Sequence, residues 1–462
     1  MIEDLRHLAT TTVEKATKLG ASQVQAVAYV VDESGTRFAH NYIHQNVTSR
    51  DLGVHVTVVV EKNKVGSTLV RSLEPAEVEK GVGTAVKAAK VSKANPDFKT
   101  LPSPKKIVPL RGLYVEGTAK LEPERKAESI GLMVDTAKDY DKRVQSVFGY
   151  FANSGIGMAV ANSLGVNEGM ELSMATVETI SMAEENGSEG RGFSSGLSRD
   201  VSELDFKAMA TDSASGSVNS LRPRKLDVGE YEAILKPNAA STLIGSFGRI
   251  GFSADAYQEN RSFLIGRLGD QVFDEKLTIL DNGRDKSTAS ASAFDGEGMP
   301  KRALMLVNHG VAENLCYDSY TAGKEGKEST GHAPLGIGRM GGPGPTNMIV
   351  EPGDCSLDEL VEDTKKGLLI TRFHYTGIVR PDLAIITGTT SDGTWFIENG
   401  EIKYPVLNLR FTESMLKTFG EISGVGDEST VKKTGGWGGV GVTINLPAIK
   451  LKSFRITGQT EF

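Results

Sequence analysis

The chain has 462 residues, 39% hydrophobic and 24% charged, with a formal net charge of −7. That length predicts two or three domains, and the balance predicts a globular protein without a membrane span. A net acidic chain with no basic cluster argues against nucleic acid as a partner, and two cysteines, Cys316 and Cys355, exclude a disulfide framework.

The opening stretch MIEDLRHLATTT carries early acids and no apolar core, so a signal peptide is not expected and a cytoplasmic location is. Leu5, Leu8, Ala16 and Leu19 recur at helical spacing, with Gly20 placed as a C-terminal cap. Val24, Ala26, Ala28 and Val30 alternate as in a half-buried strand. DESG (32–35) reads as a turn. Residues 53–60 and 65–70 form a hairpin through Lys62–Asn63–Lys64, and Ser72 and Pro75 open a helix to about Val91. Residues 95–110, with Pro96, Pro102, Pro104 and Pro109, read as a linker.

The same order then returns. Pro123 opens a helix to about Lys138. Strands follow at 144–152 and 156–163, joined by a turn at Asn153–Ser154–Gly155. A longer pair, 171–183 and 190–199, is joined through Asn186–Gly187. Ser202 with Asp205 resembles a capping box before a helix from about Leu204. Two helix–four-strand–helix units would be a degenerate duplication; chance recurrence of αβ patterning is the alternative.

From about residue 226 the chain turns glycine-rich and β-dominated. Strands are expected at 302–307, 346–350, 383–389, 393–406 and 441–457, with a hairpin at Asn399–Gly400 and helices at 238–250 and 356–370. The fold class is therefore α+β. N-terminal α/β segments at 1–110 and 111–225 precede a β-rich C-terminal domain at 226–462.

Few stretches carry chemistry. GWGGVG (436–441) matches a dinucleotide fingerprint but is followed by a strand, so a glycine-rich loop is the simpler reading. GFSSG (192–196) would need Ser194 on a strand-to-helix turn, yet it lies inside a strand. His40 and His44 share a strand face if the strand is regular, but nothing sets a third ligand, His55 included. No histidine is followed by glutamate, so H-E-x-x-H and H-E-x-x-x-H are absent. Cys316 and Cys355, without a CxxC partner, read as packing residues. The loop DGEGMPKR (295–302) gathers Asp295, Glu297, Lys301 and Arg302 around two glycines and a proline. It reads either as a shaped site or as a solvated charged turn.

FDGEGMPKR (294–302), ESTGHA (328–333), PTNMIVEPGD (345–354), KGLLIT (366–371) and WFIENGEIKYPV (395–406) follow one another in an order that resembles the TldD/PmbA (TldE) peptidase family. The likeness extends over the whole chain and is most specific in its C-terminal third. It implies α/β layers, a β-rich C-terminal domain and dimers around an enclosed cavity that holds unfolded peptide. TldD-type members look like metallopeptidases with H-E-x-x-x-H on a helix and a late cysteine. PmbA/TldE-type members lack these and pair with the TldD type.

This chain resembles the second branch. The helix at the motif's place reads NAASTLIGSFGRI, with Ser246, Phe247 and Arg249 where zinc chemistry would sit, and residues 424–442 hold no cysteine. The run 262–281 is also similar to that branch. The resemblance implies no catalytic and no metal-binding residue in this chain, with zinc in a TldD-type partner. The partner is such a subunit or a second copy, and Asp295, Glu297, Arg302, His332 and Asn347, with the loop 331–347, are candidates for the peptide cavity. Two alternatives stay open. One is a stand-alone peptidase with a substituted site, for which His309, His332 and His374 with Asp295 and Glu297 are candidate ligands. The other is a non-enzymatic homodimeric peptide-binding or modulator protein, as in the older description of the family as modulators of DNA gyrase.

Overall fold

The computed structural model describes residues 1–335, 342–434 and 441–460. Its first part is one repeated unit built into one sheet. Helix α1 (Ile2–Lys18) leads into strands β1 (Gln23–Ala39), β2 (Tyr42–Val60) and β3 (Lys64–Val70) and then α2 (Pro75–Val91). After a short α3 (Glu116–Ala119), α4 (Pro123–Tyr140) leads into β4 (Val144–Asn162), β5 (Asn167–Glu185), β6 (Ser188–Ser198) and α5 (Phe206–Asn219). Each unit thus has three strands, not four. The strands run β3-β2-β1-β4-β5-β6, antiparallel throughout, so residues 1–110 and 111–225 share one sheet.

The two missing strands have one cause. Asp32–Gly35 and Asn153–Gly155 are not turns but the middles of β1 and β4, paired with each other across the centre of the sheet. Glycine here serves close approach: a Cβ on Gly35 would sit 2.0 Å from Tyr150 Oη, and one on Gly155 would sit 2.9 Å from Ala119 Cβ. Asn153 is buried, donating to the carbonyl of Thr118 (3.0 Å) and accepting from Lys126 Nζ (3.0 Å). The turns at Lys62–Asn63 and Asn186–Gly187 do form, both with positive φ. Asp205, not Ser202, caps α5, accepting from Ala208 N–H (2.9 Å), while Ser202 bonds Asp200. The proline-rich stretch holds no helix or strand, yet it buries Phe98 and Leu101.

The period of two along β1 and β4 sorts the sheet's faces. Val24, Ala26 and Ala28, with Ala159 and Ala161, pack under α1 and α2, and Phe38, Val147 and Phe151 continue that face under α4 and α5. The opposite face, with Val27, Tyr29, Met158 and Val160, meets Ala293, Phe294 and Met299 of the C-terminal part.

That part opens with β7 (Gly229–Leu235), α6 (Pro237–Gly251) and α7 (Ala254–Gln258), followed by β8 (Ile279–Asn282), β9 (Ala303–Asn308), β10 (Val311–Ala312), α8 (Ser319–Lys324) and β11 (Asn347–Val350). Next come α9 (Leu357–Glu362), β12 (Lys366–Arg380), β13 (Ile385–Glu398), β14 (Glu401–Pro405), β15 (Leu409–Ser414) and α10 (Met415–Phe419). The chain finishes with β16 (Ile422–Val425), β17 (Thr430–Thr434), β18 (Val442–Leu446) and β19 (Ile449–Gln459). One sheet runs β10-β9-β8-β11-β18-β17. In the other, β12 pairs with both β7 and β13, so β12-β7-β19-β15-β13 close into a ring with β14 beside β13. Closure removes the edges of those five strands.

Three expectations change here. The helix at 356–370 ends at Glu362, and Gly367–Ile370 joins β7 as a buried parallel strand. Residues 383–389 and 393–406 are joined through one strand, β13, which turns into β14 at Asn399–Gly400, both with positive φ. The run 441–457 breaks at Pro447 into β18 and β19, which belong to different sheets. The fingerprint-like GWGGVG lies outside the described residues except for Gly441, as do residues 336–341 of the loop 331–347.

Candidate functional site

Helix α6 has two faces of opposite character. Ala239, Ala240, Leu243, Ile244, Phe247 and Ile250 point into the core. Asn238, Ser241, Thr242, Gly245, Ser246 and Arg249 line a cleft of about 500 Å³. Both sets follow the i, i+3, i+4 spacing of a helix lying between two environments. Phe247 is therefore an aromatic core residue, fully buried, with its ring centroid 5.3 Å from Phe273 and 5.2 Å from Phe419. Only Ser246 and Arg249 of the three motif-position residues reach the cleft.

The opposite wall is β6, whose odd-numbered residues Phe193, Ser195 and Leu197 face the cleft. Ser194 points the other way and is buried, so GFSSG is strand and not a nucleophile elbow. Glu178 of β5, Arg372 of β12 and Lys432 and Lys433 of β17 complete the polar lining. Arg372 is held by an ion pair to Asp392 and lies 4.0 Å from the centroid of the Phe193 ring. Lys432 Nζ donates to the carbonyl of Ser195 (3.1 Å) and lies 3.5 Å from its Oγ. Ser195 Oγ in turn donates to Asn238 Oδ1 (3.0 Å). Burial pushes the Lys432 ammonium down to about 8, with Asp212 pulling it up and Lys236 pushing it further down.

This donor set does not fit a divalent metal. Among the described residues the lining holds no histidine or cysteine and one carboxylate, against four basic side chains. No group of three or more His, Cys, Asp or Glu among the described residues could hold an ion. The sequences of 336–341, GIGRMG, and 435–440, GGWGGV, contain none of these residue types. His40 sits at the tip of the β1–β2 hairpin with positive φ, edge-on to Phe148, while His44 is exposed on β2. His309 lines a separate cleft of about 360 Å³ beside Cys355, and His374 is on the surface of β12.

The five cavity candidates do not line the 500 Å³ cleft; they build the loops beside it. Asp295 is fully buried and accepts N–H bonds from Glu297 (3.0 Å), Met299 (2.9 Å) and Ala333 (2.9 Å). These bonds pin the loop that presses Phe294 and Met299 onto the N-terminal sheet. Burial raises Asp295, although the three N–H groups pull the other way. Glu297, half-buried, accepts from Ser319 N–H (2.9 Å) and Oγ–H (2.6 Å). Burial, then the neighbouring Asp295 and Asp318, push it up to about 8. His332 is enclosed, with Nε2 3.2 Å from Asp281 Oδ1 and Nδ1 2.9 Å from Thr330 Oγ1. Burial alone would raise Asp281, but His332, Lys301 and the Asn347 N–H hold it below the usual range. The Asn347 side chain is buried; with its amide turned to match its neighbours it accepts from Ala291 N–H (2.8 Å). Arg302 is exposed and donates to the Ser329 carbonyl (3.3 Å).

The cleft residues that sequence reasoning missed are Ser195, Arg372 and Lys432, with Glu178 and Asn238. The polar stripe of α6 was readable from its spacing. The strand cations carry no local signal, because a lysine or arginine on a half-exposed strand is ordinary surface until another element folds over it.

Comparison with known proteins agrees with this architecture. Residues 228–458 match the model of the PmbA/TldA metallopeptidase C-terminal domain, and residues 117–221 match that of the PmbA/TldA metallopeptidase central domain. The chain is 24% identical to metalloprotease PmbA of Escherichia coli O157:H7, over 99% of this chain and 98% of that one. It is 31% identical to an uncharacterized protein of Methanocaldococcus jannaschii, over 48% of this chain and 50% of that one. Among solved structures, TldE from Thermococcus kodakarensis superposes with a TM-score of 0.88 at 21% identity, covering 98% of this chain and all of that one. A putative modulator of a DNA gyrase from Thermotoga maritima gives 0.84 at 22% identity, covering 98% and 99%.

Proposed function

The chain belongs to the PmbA/TldA metallopeptidase family, and from that premise we propose that it is the metal-free, PmbA/TldE-like subunit of a peptidase that acts on unfolded peptides. A TldD-type chain would carry the zinc and cut. This chain would complete the chamber and hold peptide in its cleft. The observation that supports the reading is α6: it turns Ser246 and Arg249 to the cleft and buries Phe247, so the helix offers neither imidazole nor carboxylate where a metal would need them.

A stand-alone peptidase would need its own nucleophile or metal. Ser195 beside Lys432 is the nearest approach to one, but the hydroxyl proton is committed to Asn238 and the amine faces the backbone carbonyl. That geometry stores the serine as a structural donor and does not activate it.

The experiment has two arms. Elemental mass spectrometry on the chain purified without chelators or metal-affinity tags should find zinc well below one per chain. Cleavage of an unfolded protein substrate should require a TldD-type chain and rise when this chain is added to it. Stoichiometric zinc, or cleavage by this chain alone, would overturn the reading.

A further inference from the structure

The charge on the cleft is one-sided. Arg249, Arg372, Lys432 and Lys433 line it against Glu178 alone. Arg372 already carries Asp392. Lys432 and Arg249 are different: among the described residues no ion pair joins either to a carboxylate, and Lys432 Nζ hydrogen-bonds Ser195. The Lys432 ammonium is partly buried with a single neutral residue as its partner, and an incoming anion would offset what that burial costs. Asn238 adds a neutral donor, since its carbonyl oxygen is used by Ser195 and its NH2 has no partner among the described residues.

The walls specify the shape of the anion's carrier. Among the described residues β6 pairs with β5 alone and β17 with β18 alone, so both cleft-lining strands are sheet edges there. Edge strands accept an extended chain through backbone hydrogen bonds, which are indifferent to side-chain identity. A small inorganic ion would use the charges and leave the edges idle.

We propose that this cleft binds an extended peptide bearing a carboxylate, which Arg249 and Lys432 receive together. The inference rests on the peptide-holding reading above and adds what the cleft selects. Arg249 supplies a planar two-donor face for the carboxylate from α6 and Lys432 a point charge from β17. Lys432 must be protonated to do so, hence affinity falls as pH rises through about 8. Asp212 on α5 favours its proton, Lys236 before α6 opposes it, and Glu178 on β5 faces the same space.

The test uses the full chain alone and calorimetry at low salt. Three acetylated decapeptides of glycine, serine and alanine serve as probes: one with a free C-terminus, one amidated, and one amidated with a single internal glutamate. The acidic peptides should bind at least about tenfold more tightly than the neutral amide. Whichever acidic form wins identifies a terminal or a side-chain carboxylate. Arg249→Gln and Lys432→Gln should each reduce acidic binding to the level of the amide and leave binding of the amide itself unchanged. Arg249→Lys should restore part of it. Equal binding of all three peptides, or an acid preference that survives both glutamine variants, overturns the proposal. So does binding of inorganic phosphate with no peptide bound. The assay contains neither zinc nor a second chain, so its failure is separate from failure of the subunit reading, which the zinc and cleavage measurements decide.

Discussion

Asp295 reads in the sequence as a candidate for the peptide cavity and is a loop staple in the structure. Three backbone N–H groups converge on one fully buried carboxylate, an arrangement that fixes a backbone and leaves no oxygen for substrate. Its neighbour Glu297 yields a test by titration. Its carboxyl is pushed up to about 8 when folded, from an ordinary value near 4.5. The raised group contributes stability that is complete below about pH 4.5 and is lost as pH climbs to about 8. Glu297→Gln should therefore match the parent at pH 5 and be more stable at pH 9, by on the order of a few kcal/mol at most for a half-buried group. The glutamine amide can still accept from Ser319 N–H and donate to its Oγ, so the loop is kept. Denaturant unfolding at the two pH values measures this, and equal stability at pH 9 would contradict it.

Helix α6 and the long strands show what periodicity can and cannot decide. On α6 the apolar residues repeat at helical spacing, which is consistent with the core face that the structure shows. What spacing does not show is which face a particular inherited position serves. Phe247 sits in the core among Phe263, Phe273 and Phe419. Phe247→Ala should cost about 3–5 kcal/mol in thermal or chemical unfolding, whereas Ser246→Ala, on the cleft side, should cost under about 1 kcal/mol. A small loss at Phe247 would mean that α6 is not a core helix. In β1 and β4 the error ran the other way. Gly, Asn, Asp and Ser are turn formers when the chain must reverse. Here the same letters sit mid-strand because Tyr150 needs the room above Gly35 and α3 needs the amide of Asn153. Tyr150 is over a hundred residues from Gly35 and Thr118 is 35 from Asn153, so neither neighbour leaves a local trace.

At the scale of the molecule, the two parts are joined through the DGEGMPKR loop. Phe294 and Met299 fill the sheet face beside Met158 and Val160, and the 500 Å³ cleft opens where β6 and α6 come together. Phe294→Ala should lower the melting temperature and loosen the N-terminal sheet relative to the C-terminal part, visible as a second calorimetric transition or as faster amide exchange in β1 and β4. An unchanged melt with unchanged exchange would show that the loop does not couple them. No helix among the described residues is long and apolar enough to cross a membrane.

The sequence by itself determined the α+β class, the hairpins at Asn186–Gly187 and Asn399–Gly400, the existence of α6, the absence of a histidine-glutamate motif and the family. These are local: each depends on residue types within a few positions of one another, and a motif or a positive-φ turn is written in adjacent letters. Tertiary structure alone decided that two apparent turns are strand centres, that Asp295, His332 and Asn347 are buried supports, and that the cleft is basic. Arg249, Arg372 and Lys432 come from three distant stretches; Arg249 stood out only by its motif position, and the two strand cations are ordinary surface residues until folding sets a helix and two strands around one space. Burial, and the electrostatics that follow from it, are properties of that enclosure and of no segment taken singly.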